Sequence, residues 1–304
     1  MTRQRGLRIA LGLNVGLVAL QVGFGIAAGS LGLIADAGHN LTDVGAVALS
    51  LFAVRLAMRP ADSKRSFGYH RSTILAAQAN AAAILVISAL IAVEGINRLV
   101  HPVTVDAALV LPVAAAAVVL NLVAAMVLSD HTHDLNMRSA YLHMAADAAT
   151  SAGVAVAAAL ILVTNGNDWL DPAISLIIGA VIAVRAVQLL KETASVLLES
   201  TPDGIDMTLL GHAITEVDGV EAVHDLHAWS LSSELHALSA HVVLEGHLSL
   251  EDAQQVGRRI KATIEPRFDI AHSTLELECE ACDDEYHDTH LTSPTAADRS
   301  LHRH

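Results

Sequence analysis

Two histidine–aspartate pairs share one spacing in an otherwise apolar chain: His39 with Asp43 in "ADAGHNLTDVGAV", and His143 with Asp147 in "YLHMAADAATS". Residues four apart in an α-helix sit one turn above each other on one face, so each pair projects together. Ionisable groups inside a membrane helix cost about 2.5–3.5 kcal/mol each on insertion scales, so they mark function more often than accident. Two imidazoles and two carboxylates suit a four-coordinate, tetrahedral divalent cation such as zinc. The alternative is two separate interhelical His–Asp hydrogen bonds; the matched duplication favours a shared metal. Asp36, one turn before His39 and off the pair's best face, reads either as an entry or supporting group, or as an ordinary residue near the outer helix end. Asn40 and Asn121 read as groups that orient the ligands or, more simply, as polar packing.

The elements that carry these pairs follow from composition. Of 304 residues, 53% are hydrophobic and 16% charged, and the mean hydropathy is +0.48. That is too much apolar sequence for one soluble core, so a lipid bilayer is expected around part of the chain. Six apolar runs, at 7–28, 32–57, 72–99, 104–128, 136–163 and 170–195, are each long enough for the roughly 20 helical residues that cross a bilayer. Ala- and Gly-rich stretches such as "AADAATSAGVAVAAA" let helices approach closely, as shared coordination demands. Arg3, Arg5, Arg8, the basic loop 55–71, Arg138 and Lys191 fall on one side under six spans, which places both termini in the cytoplasm; five spans is the alternative. The basic start "MTRQRGLR" runs into an apolar stretch too long for a secretory signal.

After Pro202 the pattern becomes that of a soluble domain. "DGIDMTLLGHAITEVDGV" reads as a helix, "VEAVHDLHAWSL" and "LHALSAHVVLE" as strands, "SLEDAQQVGRRIKATIEPRF" as a capped amphipathic helix and "STLELEC" as a last strand. The expected organisation is therefore an all-α six-helix transmembrane bundle (1–200), a small α+β domain of order αββαβ (201–282) and a disordered tail (283–304). The formal charge of −14 arises entirely after residue 200, where 11 of the 17 histidines also lie. That bias points to metal cations and away from nucleic acid, and 3% aromatic content leaves no stacking platform for bases. Cys279 and Cys282 form a lone C-x-x-C without a thioredoxin-like surround; it binds metal or is inert.

A cation must be held by neutral imidazole and ionised carboxylate, so protons compete with metal at every ligand. Histidine titrates near neutral pH, and the natural mechanism is alternating access with metal moving one way and protons the other.

The six runs, H-x-x-x-D in the second and fifth, "FGYHR" after the second, and "HDLHAWSL…SAHVVLEG…STLELE" resemble the cation diffusion facilitators, particularly the bacterial zinc-exporting branch. The resemblance covers residues 7–280. It implies a homodimeric divalent-cation/proton antiporter of the bacterial inner membrane, with a ferredoxin-like cytoplasmic domain that dimerises and senses metal. It places His39, Asp43, His143 and Asp147 at the transport site, with Zn2+ the leading substrate and Co2+, Cd2+, Ni2+ and Fe2+ behind it. In the cytoplasmic domain it points to His227, His241 and Glu278, with His224, His272, Cys279 and Cys282 as lesser candidates. Simple strand alternation puts His224 and His227 on opposite faces. Where some relatives bind metal in the loop after the second span, this chain offers Asp62 but has Arg65 and Tyr69, with His70 beside them, so no strong loop site is expected. His131 and His133, and the tail's "HDTH" and "HRH", are cation collectors or solvated polar groups.

Two other classes compete: a membrane-bound metal sensor with a structural intramembrane site, and an intramembrane metalloenzyme. An enzyme is disfavoured by the lack of H-E-x-x-H or an evident nucleophile with its base. A sensor would need an appended output module, for which about 20 tail residues are too few. The expectation is a proton-coupled zinc exporter.

Overall fold

The computed structural model describes residues 3–129, 135–164, 166–232 and 235–280. His131, His133, Cys282 and the tail histidines lie outside them. The chain divides into two compact units, Met1–Ala53 with Ala76–Lys191, and Val54–Leu75 with Glu192–His304.

Six helices stand where six apolar runs were expected: α1 Arg3–Ala28, α2 Leu31–Ala57, α3 Ser72–Val100, α4 Ala107–Ser129, α5 Leu135–Thr164 and α6 Leu170–Leu197. The apolar stretches of α2 to α6 are long enough to cross a bilayer, whereas the apolar part of α1, Asn14–Ala28, is shorter. In the first unit Ala35, Ala37, Ala81, Ala114 and Ala117 are fully buried, so small side chains form the helix contacts. At one close approach, a Cβ on Gly95 in α3 would lie 2.8 Å from Leu176 of α6. Large apolar side chains such as Leu20, Phe52, Leu90 and Val163 face outward, as a lipid-contacting surface requires.

The turn between α1 and α2 must satisfy helix-end groups in an apolar setting, and neighbouring helices supply the partners. Gly29 takes φ +67, a left-handed conformation that a side chain would strain. Its carbonyl accepts from Arg98 Nη1 of α3 at 2.5 Å. The buried Asp171 of α6 caps α2, accepting from Ser30 Oγ at 2.5 Å, Leu31 N at 2.7 Å and Gly32 N at 3.2 Å.

In the second unit the order after α6 is α7 (Met207–Thr215), β1 (Val220–Ser232), β2 (Leu235–Leu244), α8 (Leu250–Phe268) and β3 (Ile270–Glu278), the expected αββαβ. Asp206 caps α7 by accepting from Thr208 N and Leu209 N, and Ser249 caps α8 by accepting from Asp252 N. The strands form one sheet in the order β1-β2-β3, antiparallel then parallel, so α8 is the crossover that makes β3 parallel to β2. Leu210 and Ile214 of α7, Ile260 and Ile264 of α8, and Leu238 and Val242 of β2 form the centre of its core.

The first strand departs from simple alternation. His224 pairs with His241 and His227 with Ser239, so three residues of β1 span two of β2, and Asp225 stands at φ +49. This is a β-bulge, with the extra residue in the left-handed region that Asp tolerates better than most side chains.

Because Asp171 accepts three hydrogen bonds in a buried position, Asp171→Ala should lower the stability of the detergent-solubilised protein by about 1–3 kcal/mol, read as a fall in thermal midpoint. Asp171→Asn, which keeps an acceptor oxygen, should lose less; equal midpoints for the wild type and the alanine variant would remove this cap from the account.

Candidate metal centre

Helices α2 and α5 bring the two duplicated pairs together crosswise. His39 Nε2 lies 3.1 Å from Asp147 Oδ1 on the other helix and 3.8 Å from Asp43 Oδ2 one turn along its own. His143 Nε2 lies 3.4 Å from Asp43 Oδ2 and 3.6 Å from Asp147 Oδ2. Each imidazole therefore faces both carboxylates, and the two rings meet edge-on with centroids 6.2 Å apart. His39 and Asp147 are the enclosed half, with side chains 11% and 3% exposed, while Asp43 and His143 are at 32% and 39%. One ligand atom from each of His39, Asp43 and Asp147 falls within 4.8 Å of the others, a spacing at which one ion can be shared. The buried Nδ1 of His39 has no hydrogen-bond partner among the described residues.

Asp36, left open between two readings by the sequence, is a buried node joining three helices. It accepts from Gln21 Nε2 of α1 at 2.6 Å and from Ser151 Oγ of α5 at 2.8 Å. The Thr150 hydroxyl lies 3.3 Å from Asp36 and 2.9 Å from the carbonyl oxygen of Asp147, so the node adjoins the pair on α5. Asn40 completes it by donating to Gln21 Oε1 at 3.0 Å, which is the polar packing expected of it. Asn121 is buried in α4, apart from these hydrogen bonds.

A second cluster lies in the sheet of the second unit. His224 Nε2 is 2.9 Å from Glu278 Oε2 and His241 Nδ1 is 2.8 Å from Glu278 Oε1, with the imidazole centroids 5.2 Å apart. These three offer ligand atoms within 4.8 Å of one another. The sequence-based trio had His227 where the structure has His224. The cause is the bulge at Asp225: the extra residue cancels the alternation, so His224 and His227, paired with His241 and Ser239, share one face after all. His227 is linked to the cluster through Asp225, whose Oδ1 is 2.9 Å from His227 Nε2 and whose Oδ2 is 3.6 Å from His241 Nε2. Glu276 stands 3.5 Å from His241 on the exposed side. His272 is elsewhere, edge-on to the Phe67 ring at 5.5 Å, and Cys279 is an exposed free thiol.

The loop after α2 is organised by its own cations. Asp62 accepts from Lys64 N at 2.7 Å and Arg65 N at 2.9 Å; the Arg65 guanidinium is 3.9 Å away and also lies over the Tyr69 ring. These donors, the Lys64 amide first, hold the Asp62 carboxyl below its ordinary pKa.

Residues 7–198 match the family model described as the cation efflux transmembrane domain, and 202–280 the one described as the cation efflux protein cytoplasmic domain. The metal cation efflux system protein CzcD of Cupriavidus metallidurans is 37% identical, covering 92% of this chain and 88% of its own. A cadmium, cobalt and zinc/H(+)-K(+) antiporter of Bacillus subtilis is 34% identical (90% and 89% covered), and the zinc transporter ZitB of Escherichia coli 33% (91% and 88%). The chain belongs to the cation efflux, or cation diffusion facilitator, family. It is an integral membrane transporter of metal cations, not an enzyme.

In this cation efflux protein, the features that sequence reasoning missed depend on partners far along the chain. Asp36 stands 15 residues from Gln21 and 115 from Ser151. Asp36→Ala and Gln21→Leu should therefore be non-additive in a double-mutant cycle on thermal stability, with a coupling of about 0.5–3 kcal/mol. Additivity within about 0.5 kcal/mol would mean that the hydrogen bond contributes nothing separable.

Glu278 gives a pH signature. Burial opposes its ionisation, but the hydrogen bonds from His224 and His241 outweigh burial and hold its pKa below the ordinary value. A carboxyl lowered in the folded state contributes stability above its unfolded pKa, and that contribution is lost as pH falls through the folded one. Metal-free wild type should thus lose stability more steeply than Glu278→Gln as pH drops from about 5 downward, in thermal melts across that range. Parallel curves would show that Glu278 does not titrate with folding.

Proposed function

We propose that this protein exports Zn2+ in exchange for protons, with His39, Asp43, His143 and Asp147 as the transport site. The observation that carries this reading is the crosswise contact of each imidazole with both carboxylates. Two ionised carboxylates and two neutral imidazoles carry a charge of −2, which one divalent cation cancels. With the metal gone, two protonated imidazoles cancel it equally. A site in a low-dielectric setting avoids net charge, so metal leaves readily only as protons arrive. Zn2+ leads because imidazole with carboxylate suits it; Co2+, Cd2+, Ni2+ and Fe2+ remain competitors, and affinity order alone does not separate them.

The chain is proposed to act as a homodimer in a bacterial inner membrane with both termini cytoplasmic. Residues 1–200 would form the transport domain and 201–282 a domain that dimerises and binds regulatory metal. In that domain His224, His241 and Glu278 are the best-placed ligands, with His227 linked through Asp225. Cys279 is exposed and is not one of the three grouped ligands.

The test is zinc-for-proton exchange in proteoliposomes. An imposed pH gradient in K+-free buffer should drive zinc uptake by the wild type, and Asp43→Ala and Asp147→Ala should each fall to the rate of protein-free vesicles. Full flux in both variants would remove the site assignment. Flux that requires K+ would change the counter-ion, which the name of the Bacillus subtilis relative includes. Absence of wild-type flux with metal still bound would favour the membrane-bound sensor.

A further inference from the structure

The second unit contains a cavity of about 840 Å3 that neither metal cluster uses, apart from His227 at its wall. Its chemistry is opposite to that of both clusters. The loop segment 55–71 carries Arg55, Arg59, Lys64, Arg65 and Arg71 against one carboxylate, Asp62, in a protein whose net charge is −14. Of these, Lys64, Arg65 and Arg71 line the cavity, with Glu199 as the acidic residue among them. Arg71 and Glu199 neutralise each other across 2.7 Å. Lys64 has no ion-pair partner among the described residues, and Arg65 has only the 3.9 Å contact with Asp62. The surplus is positive, so the cavity repels metal cations and suits an anion.

The rest of the lining says which anion. Leu56 belongs to the last turn of α2 and Leu75 to the first turn of α3, two helices long and apolar enough to cross a bilayer. Tyr69 of the loop and Trp229 of β1 line it too, and such aromatic side chains concentrate at the membrane–water boundary. A free phosphate would need the cations and leave the apolar wall without a partner. A phospholipid matches both, and basic pockets beside transmembrane helices take acidic lipid headgroups. The volume lies within the roughly 300–1,000 Å3 of ordinary small-molecule sites.

We infer that this cavity binds an anionic phospholipid, its phosphate between Lys64 and Arg65 and its first methylenes against Leu56 and Leu75. Because the wall also includes Trp229 of β1, the lipid touches both the loop after α2 and the sheet that holds the second cluster.

The test uses the full chain in nanodiscs of phosphatidylcholine doped with phosphatidylglycerol, with lipid retained after detergent washing counted by native mass spectrometry. Wild type should retain phosphatidylglycerol over phosphatidylcholine, and Lys64→Gln should cut that preference about fivefold, with Arg65→Gln adding a similar factor. Lys64→Gln is the primary variant because it leaves the Asp62–Arg65–Tyr69 contacts intact. No preference in wild type, or an undiminished one in Lys64→Gln, would overturn the site. Equal protection by soluble glycerol phosphate, or a crosslink from position 64 to a second copy of the chain irrespective of lipid, would overturn the lipid assignment. Zinc transport does not enter the readout, so this result stands apart from the outcome for the transport site.

Discussion

The membrane part of this protein is governed by the need of a buried carboxylate for donors. Asp36, Asp147 and Asp171 are each no more than 3% exposed within helices long and apolar enough to cross a bilayer. Water cannot supply their hydrogen bonds there, so neighbouring helices must. Asp171 is met by the start of α2, Asp36 by α1 and α5, and Asp147 by His39 of α2. Each contact crosses from one helix to another, so together they fix where α2 stands relative to α1, α5 and α6. Small residues allow the helices to touch, but apolar contact in lipid specifies little register. The carboxylates supply that register and thereby set His39 opposite Asp147.

This also separates groups of the same chemical type by role. Asp36 is surrounded by donors that cannot leave, being amide and hydroxyl side chains. Asp43 and Asp147 face imidazoles, whose proton content can change near neutral pH. The first is suited to holding helices together and the others to exchanging what they hold. On α2 a seven-residue step, from Asp36 to Asp43, moves a carboxylate from one role to the other.

Helix positions were legible because hydropathy over 20 or more residues reports span directly, and the H-x-x-x-D spacing was legible because i and i+4 share a face by geometry alone. The αββαβ order was similarly readable from alternation and from the capped helix that opens at Ser249. What could not be read were choices of partner. The duplicated spacing brought the two His–Asp pairs together, but nothing local tells Asp36 to find Gln21 and Ser151. The replacement of His227 by His224 in the sheet cluster has a different origin. Alternation is a rule about regular backbone, and one residue at φ +49 suspends it. An Asp between two histidines in a strand is the available hint, since Asp visits that region more readily than β-branched neighbours do.

The two histidine–carboxylate clusters share ligand types and differ in dielectric surroundings. Around His224, His241 and Glu278 stand two more carboxylates, Asp225 and the 66%-exposed Glu276. Water and salt screen that surplus, so the sheet cluster can carry net negative charge and draw cations without a counter-ion. The ring between α2 and α5 has less of that freedom: Asp43 and His143 are 32% and 39% exposed, but all four side chains sit on helices long and apolar enough to cross a bilayer, where an unbalanced charge is expensive. On the proposed reading, metal bound at the sheet would follow its concentration alone, whereas metal at the intramembrane ring would have to be replaced by positive charge as it leaves. Coupling to a counter-ion is in this view a consequence of where the four side chains lie, since the same imidazoles and carboxylates at the sheet surface would not impose it.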